Sequence, residues 1–320
     1  MNGKKYRLVT KDDFDGMVCG ILLKELDLVE KVVFVHPKDI ESGEFGLTGE
    51  DITAGLPYKE IVCMAFDHFP AVVRAAEGRK NLTVDPLVSS TARVIYNYYG
   101  KDKFRNNHTD ILDAINKGFS AGIATDEILY PAGWGLLNYL IDPRTGLEEY
   151  KKFRVSHNEL MDELMLEGRD HSIWEMLSLP DIEDRLELYF SCIEGHKWQI
   201  LRCSSVFSNL VVTDTRKEKI IYPGNKFMTY ALFPECNVSL HVSSASGSGR
   251  TVFAAGRSIL DRTYSADIGG IMRKYGGGGH PGAGACQADN DRTEELLESL
   301  VKELQYGFFG NLFQGYFNYY

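Results

Sequence analysis

The fold turns on the first patterned stretch of the chain, Tyr6–Leu26, YRLVTKDDFDGMVCGILLKEL. Tyr6–Thr10 reads as a strand and Met17–Leu26 as a helix. Between them stand Asp12, Asp13 and Asp15, with Gly16 letting the chain turn into the helix. The same grammar repeats outward. Lys31–His36 is a second strand, followed by the polar turn Pro37–Asp39. The apolar run Glu60–Phe66 ends at Asp67–Pro70, and Ser90–Tyr99 reads as a helix. Strand–helix alternation of this kind predicts an α/β fold, with a parallel sheet covered on both faces. In such sheets ligands gather at the carboxyl ends of the strands. Three acidic or histidine-bearing turns are therefore expected to meet at one place.

The chain has 320 residues, about two domains' worth. Its net charge is −10, from 35 Lys and Arg against 45 Asp and Glu, which excludes binding of nucleic acid through bulk positive charge. No apolar run approaches the roughly 18 residues of a membrane span. The N-terminal MNGKKYRLVT lacks the apolar core of a signal peptide. The six cysteines form no CxxC pair, and several lie in apolar segments; buried thiols in a reducing cytoplasm are the expectation.

The middle of the chain is helical, over Asn158–Leu166, Ser172–Leu177 and Ile182–Cys203. Pro180 is expected to break this stretch, with Asp181 capping the last helix. From Asn209 the pattern is strand-rich: Leu210–Thr213, Ile220–Tyr222, Met228–Phe233, Val238–Val242 and Thr251–Ala255, before a final helix at Thr293–Leu304. The expected organisation is an N-terminal domain over 1–180, a linker helix over 181–205, and a smaller α/β domain with a mixed sheet over 206–305. The aromatic tail, 306–320, holds Phe308, Phe309, Phe313 and Phe317 and is expected to pack on its own body or on a second subunit.

Carboxylates spaced by two on a strand-end turn can converge on Mg²⁺ or Mn²⁺, and Asp67-His68 adds a nitrogen donor. Taken alone, an Asp-rich turn caps a helix and a lone histidine is structural; three such turns together favour a metal. The segment Tyr275–Gly284, YGGGGHPGAG, leaves consecutive backbone N–H groups bare to form a phosphate nest, with His280 as a further donor. The plainer alternative is a flexible linker, but no serine-rich, low-complexity context surrounds it. Arg257 follows Gly256 at the end of an apolar run and could fork onto a second phosphate oxygen.

The order Asp-x-Asp-Gly, then Asp-His at a strand end, then Gly-Gly-Gly-Gly-His resembles the DHH phosphoesterases with their associated C-terminal domain, closest to the exopolyphosphatase-related subgroup. The likeness extends through FVHPKD, LPYKE, FDHFP, SSTARVIYNYYG, GWGLLNYLIDPRTGL, YPGNKFMTYALFPECNVSLHV and YGGGGHPGAGACQ. It implies metal-activated water attacking phosphorus. It implies Asp13, Asp15, Asp39 and His68 as metal ligands, with Asp39 bridging, and Asp67 and His68 as catalytic residues opening the Asp-His-His signature. Arg257, Gly277, Gly278, Gly279 and His280 would hold the substrate phosphate. The sequence also departs from the family. Lys11 replaces a histidine, Phe69 stands third in the signature, and Ala114–Ser120, AINKGFS, where the family's later acidic motif would fall, holds Asn116 and Phe119 but no aspartate, with Asp113 and Asp126 nearby. These changes imply one Mn²⁺ or Mg²⁺ rather than two, and weakened hydrolysis. The implied ligand is a short phosphodiester, a nucleotide or a polyphosphate, with long nucleic acid disfavoured by charge. Two other readings stay open: a weak or inactive relative that binds a nucleotide in a regulatory or assembly role, and an oligomer joined through the aromatic tail.

Overall fold

In this computed structural model residues 4–69, 72, 76–105, 108–119, 123–245 and 249–306 are described. Five strands form the N-terminal sheet: β1 (Tyr6–Thr10), β2 (Val29–Phe34), β3 (Asp51–Ala54), β4 (Met64–Asp67) and β5 (Leu82–Val84). All pair in parallel, in the order β2-β1-β3-β4-β5. The order reverses at β1, because the chain steps first to one side, to β2, and then back past β1 to β3. A crevice opens at such a switch point outside the carboxyl ends of the two diverging strands. Here those ends are Thr10 and Ala54.

Helix α1 (Phe14–Glu25) is buried at every residue from Phe14 to Leu23. It packs against β2, α3 (Thr91–Tyr99) and the helix His157–Glu167, which explains why it is apolar on all sides. Strands β3 and β5 escaped the sequence pattern because four and three residues are too short to show a period. Between β2 and β3 lies a short helix, α2 (Pro37–Ser42), whose N-cap is His36.

The chain divides into two compact units. The first comprises Met1–Gly122, Pro131–Pro143 and Lys151–Glu187; the second comprises Ile123–Tyr130, Arg144–Tyr150 and Leu188–Tyr320. The boundary between Glu187 and Leu188 falls inside one long helix, Pro180–Cys203. The helical stretch breaks at Ser178–Leu179 as expected, and Pro180 opens the next helix, because a first-turn residue has no intrahelical partner for its N–H. Asp181 is not the cap. It lies buried in the first turn and is ion-paired to Arg154.

The second unit holds a mixed six-stranded sheet in the order β10-β11-β9-β8-β7-β6. Its strands are β6 (Ser204–Phe207), β7 (Leu210–Asp214), β8 (Val238–Ala245), β9 (Arg250–Arg257), β10 (Gly278–His280) and β11 (Ala283–Asp289). Only β7 and β8 pair in parallel among them. One face, with Leu210, Val238, Leu240, Val242 and Phe253, packs against Ile268, Met272, Leu300 and Leu304 of the helices Ile268–Lys274 and Thr293–Tyr306.

Three expectations for this half are corrected. Met228–Phe233 is not a strand but the helix Met228–Leu232, packed with Ile128 and Ile200 in a separate apolar cluster. Ile220–Tyr222 is not a strand either. Its backbone groups bond to Gln199, whose Nε2 donates to Ile220 O at 2.7 Å and whose Oε1 accepts from Tyr222 N at 3.0 Å. The glycine run is not left wholly bare, because Gly278 and Gly279 lie in strand β10 and pair with β11. All six cysteines are free thiols, four of them buried. Among the described residues no helix is long and apolar enough to cross a membrane. The tail beyond Tyr306 lies outside the described residues.

Candidate active site

The three aspartates of the turn after β1 hold three different partners: two cap helices and one meets a histidine side chain. Asp13 is the N-cap of α1, its Oδ1 accepting from Gly16 N at 2.8 Å. Asp12 meets His157 Nε2 at 2.7 Å and so ties the turn to the helix His157–Glu167. Asp15 is 1% exposed and reaches across to α3, where its two carboxylate oxygens accept from Thr91 N and Ala92 N, both at 2.9 Å. A carboxylate at a helix N-terminus satisfies donors that have no intrahelical partner and complements the helix dipole. Ser90 caps the same helix through Arg93 N, and Asn116 meets Ser89 Oγ at 3.0 Å.

The turn after β4 joins this cluster. Asp67, the last residue of β4, is 3% exposed, and its Oδ1 accepts from His68 N at 2.7 Å and Phe69 N at 3.0 Å. His68 Nδ1 lies 2.9 Å from Thr91 Oγ1. Thr91 therefore links Asp15, through its backbone, to His68, through its hydroxyl. The Phe69 ring packs on the imidazole with centroids 4.3 Å apart.

Lys11 stands among these groups. Its Nζ is 3.1 Å from Asp13 Oδ2 and 5.7 Å from the Phe69 ring centroid. Its stem passes beside Gly55, just beyond β3, where an added Cβ would lie 3.1 Å from Lys11 Cε. The ammonium thus occupies the switch point between β1 and β3. Burial opposes its charge, but Asp13 and Asp15 outweigh that and hold its pKa above the ordinary lysine value. Burial, with the charge of Asp13 adding to it, pushes Asp15 above the usual carboxylate range. Burial raises Asp67 as well, and lowers His68. At neutral pH this makes His68 a neutral imidazole.

The structure thus gathers Asp13, Asp15, Asp67 and His68 of the expected residues, and adds Lys11 and Thr91. Among the described residues no hydrogen bond or ion pair links Asp39, on α2, to them. Asp113 is ion-paired with Arg93 at 2.6 Å. The role of Thr91 was beyond sequence reasoning, although the serine pair ahead of the α3 helix signals a cap.

The second unit's expected residues sit around β10. Gly278, Gly279 and His280 pair with Ala285, Gly284 and Ala283 of β11. Gly277 N and Gly276 N already donate to Met272 O and Arg273 O, so a nest of consecutive free N–H groups is not formed there. The glycines answer a packing demand. A Cβ on Gly277 would lie 2.0 Å from Ala285 O, and one on Gly279, at φ +146°, would lie 2.3 Å from Ala283 O. His280 is exposed, and its Nδ1 accepts from Gly282 N at 3.1 Å. Burial and the charge of Arg257 lower its pKa. Arg257 donates to Ser265 O and Ala266 O at 3.0 and 2.7 Å, while its buried Nε has no partner among the described residues. Arg273, not anticipated from sequence, donates to Gly279 O at 3.1 Å.

Comparison with solved structures places a relative beside this geometry. A pGpG-specific phosphodiesterase from Vibrio cholerae is 41% identical, with a TM-score of 0.83 over 95% of this chain and 100% of that one. The chain belongs to the DHH phosphoesterase family. The fold alone is shared with two more distant structures. CDC45 from Entamoeba histolytica is 10% identical with a TM-score of 0.51, covering 94% of this chain and 96% of that one. RecJ from Thermus thermophilus, in complex with Mn²⁺, is 13% identical with a TM-score of 0.50, covering 95% of this chain and 52% of that one. No protein-family model and no curated protein matches the sequence.

The family implies divalent ions, and the donors present do not fit a pair of them. Both oxygens of Asp15 are engaged by backbone N–H groups, and Asp13 is shared between a helix cap and an ammonium. Among the described residues no three His, Cys, Asp or Glu side chains form a metal-holding group.

Proposed function

We propose that this chain is a phosphodiesterase acting on a short linear dinucleotide of the pGpG type. The observation that carries this reading is the 41% identity to a pGpG-specific phosphodiesterase along the full length of that protein. The local chemistry supports it. Asp13, Asp67 and His68 cluster at the switch point of the sheet, where α/β proteins bind ligands. Lys11 adds a fixed cation that attracts a phosphate oxygen. His68, neutral through burial and anchored by Thr91, can accept a proton from an attacking water. Arg257 and His280 are the proposed phosphate contacts of the second unit. No step is routed through a metal, because the donors do not fit the family's pair of ions.

A second reading has its own support. Lys11 and Phe69 replace groups that the family uses, so binding can outlast hydrolysis, in a chain that senses the nucleotide. One paired experiment separates the two. pGpG binding is measured by calorimetry and its conversion to GMP by chromatography, each with Mn²⁺ and with EDTA. Turnover supports the phosphodiesterase, binding without turnover supports the sensor, and neither sinks both.

A further inference from the structure

The stretch YPGNK, Tyr222–Lys226, takes no part in the site described above, yet it is built with unusual care. Pro223, Gly224 and Asn225 are buried although their backbone is irregular. Buried irregular backbone is costly unless its polar groups are met. Here a single helix meets them. From Pro180–Cys203, Gln199 fixes Tyr222 N, and His196 places Nδ1 3.0 Å from Tyr222 O and Nε2 3.4 Å from Asn225 O. Gly224 lies so close to the His196 ring that an added Cβ would come within 2.3 Å of it, and its N–H donates to Thr145 O at 2.9 Å.

What this scaffold presents is a set of donors. Asn225 is 1% exposed, and its Oδ1 accepts from Phe227 N at 2.9 Å. Its Nδ2 is buried with no partner among the described residues, as is Thr229 Oγ1 four positions on. An unmet buried amide is costly and calls for an explanation. Lys226 is half-buried, its Nζ 5.0 Å from the Phe227 ring centroid. His241 comes from β8. Its neighbours Val238, Leu240 and Val242 face the apolar core, so Ser239 and His241 face the other side. That side is the one covered by Met228–Leu232, since Tyr230 bonds to Ser239 Oγ at 2.8 Å. His241 feels the charges of His196 and Lys226, and burial together with these two pushes it down to about 4. An ammonium, the His241 imidazole and an amide N–H₂ disfavour a cation and suit an oxyanion.

We infer that Asn225, Lys226 and His241, held in place by His196, form a phosphate-binding subsite in the second unit, which takes the terminal phosphate of the nucleotide. The identity of that phosphate rests on the reading of the ligand as a pGpG-type dinucleotide; the subsite itself does not. A terminal phosphate carries close to two charges and three acceptor oxygens, which matches a donor set richer than a bridging diester needs.

The test uses the full chain and two probes. Inorganic phosphate is titrated while the imidazole resonances of His241 and His196 are followed by NMR, in the natural protein and in Lys226→Gln and Lys226→Arg. The expected result is a saturable shift of the His241 resonance with proton uptake, weakened at least tenfold by Lys226→Gln and largely restored by Lys226→Arg. No response of His241, or an equal response in Lys226→Gln, overturns the subsite. Binding of pGpG and of GpG, which lacks the terminal phosphate, is then compared. The natural protein is expected to prefer pGpG at least tenfold, and Lys226→Gln to bind the two alike. A preference unchanged in Lys226→Gln overturns the assignment of the terminal phosphate. Should neither dinucleotide bind while phosphate still moves His241 through Lys226, the dinucleotide reading fails and the subsite stands.

Discussion

Replacing Asp15 separates the structural from the metal-binding account of the acidic turn. Its carboxylate is 1% exposed and accepts from Thr91 N and Ala92 N at the start of α3. Asp15→Ala leaves both donors buried and unmet, at about 1–3 kcal/mol each, so the expected loss is roughly 2–5 kcal/mol. Asp15→Asn keeps one acceptor oxygen, sheds a charge that burial and Asp13 already oppose, and turns an N–H₂ toward the second donor. Its expected loss is about 1–3 kcal/mol, below that of alanine. For a domain of this size about 1 kcal/mol is worth roughly 2–4 °C in melting temperature, so the two variants should melt about 2–12 °C and 4–20 °C lower, asparagine first. Thermal and urea unfolding are read with EDTA and with Mn²⁺. The helix-cap account expects the same ordering in both, in a protein whose own midpoint Mn²⁺ leaves within a degree or so. A natural protein strongly stabilised by Mn²⁺, beside an Asp15→Asn variant of unchanged stability in EDTA and no Mn²⁺ response, refutes it.

Lys11→Met removes the cation between Asp13 and Asp15 and leaves a negative pair; electron paramagnetic resonance should show Mn²⁺ bound at least tenfold more tightly than by the natural chain. Equal affinity would mean that the lysine does not hold the cation position. Gly279→Ala places a Cβ 2.3 Å from Ala283 O at φ +146°, so calorimetry should show a loss of about 2 kcal/mol or more, with His280 displaced. His241 is lowered from its ordinary value of 6.5 to about 4, so between those pH values the unfolded chain binds the extra proton. Stability should therefore fall as pH drops from 6.5 toward 4, by an amount on the order of 3 kcal/mol from this group, and His241→Gln should flatten that slope in urea unfolding.

The first strand, the apolar helix after it and the meeting of Asp13, Asp15, Asp67 and His68 were legible because periodicity and the parallel-sheet rule fix them together. Strand β3 was not, although it defines the crevice, because the four residues of DITA are too few to establish a period. The glycine run was read for its bare N–H groups, whereas its packing against β11 is a tertiary fact: Gly277 and Gly279 are glycines because the carbonyls of Ala285 and Ala283 occupy the space of a side chain. The helix Met228–Leu232 was mistaken for a strand because a short apolar run looks alike in either period, and only its packing on Ile128 and Ile200 decides between them.

The changes at the acidic turn are coupled rather than separate losses. Two carboxylates close together beside a parallel sheet are stable only with a compensating charge or donors. Here both are supplied internally: Lys11 neutralises Asp13, and the start of α3 satisfies Asp15. Once those partners exist, further acids in the 114–120 segment have no cation left to share, and a neutral side chain such as Asn116 can brace the Ser89–Thr91 turn instead. Restoring acids there without removing Lys11 would not rebuild an ion site, because the ammonium would still hold Asp13. Restoring them together with Lys11→Met frees the position the ammonium holds, and the order in which the changes are combined becomes a direct measure of that coupling.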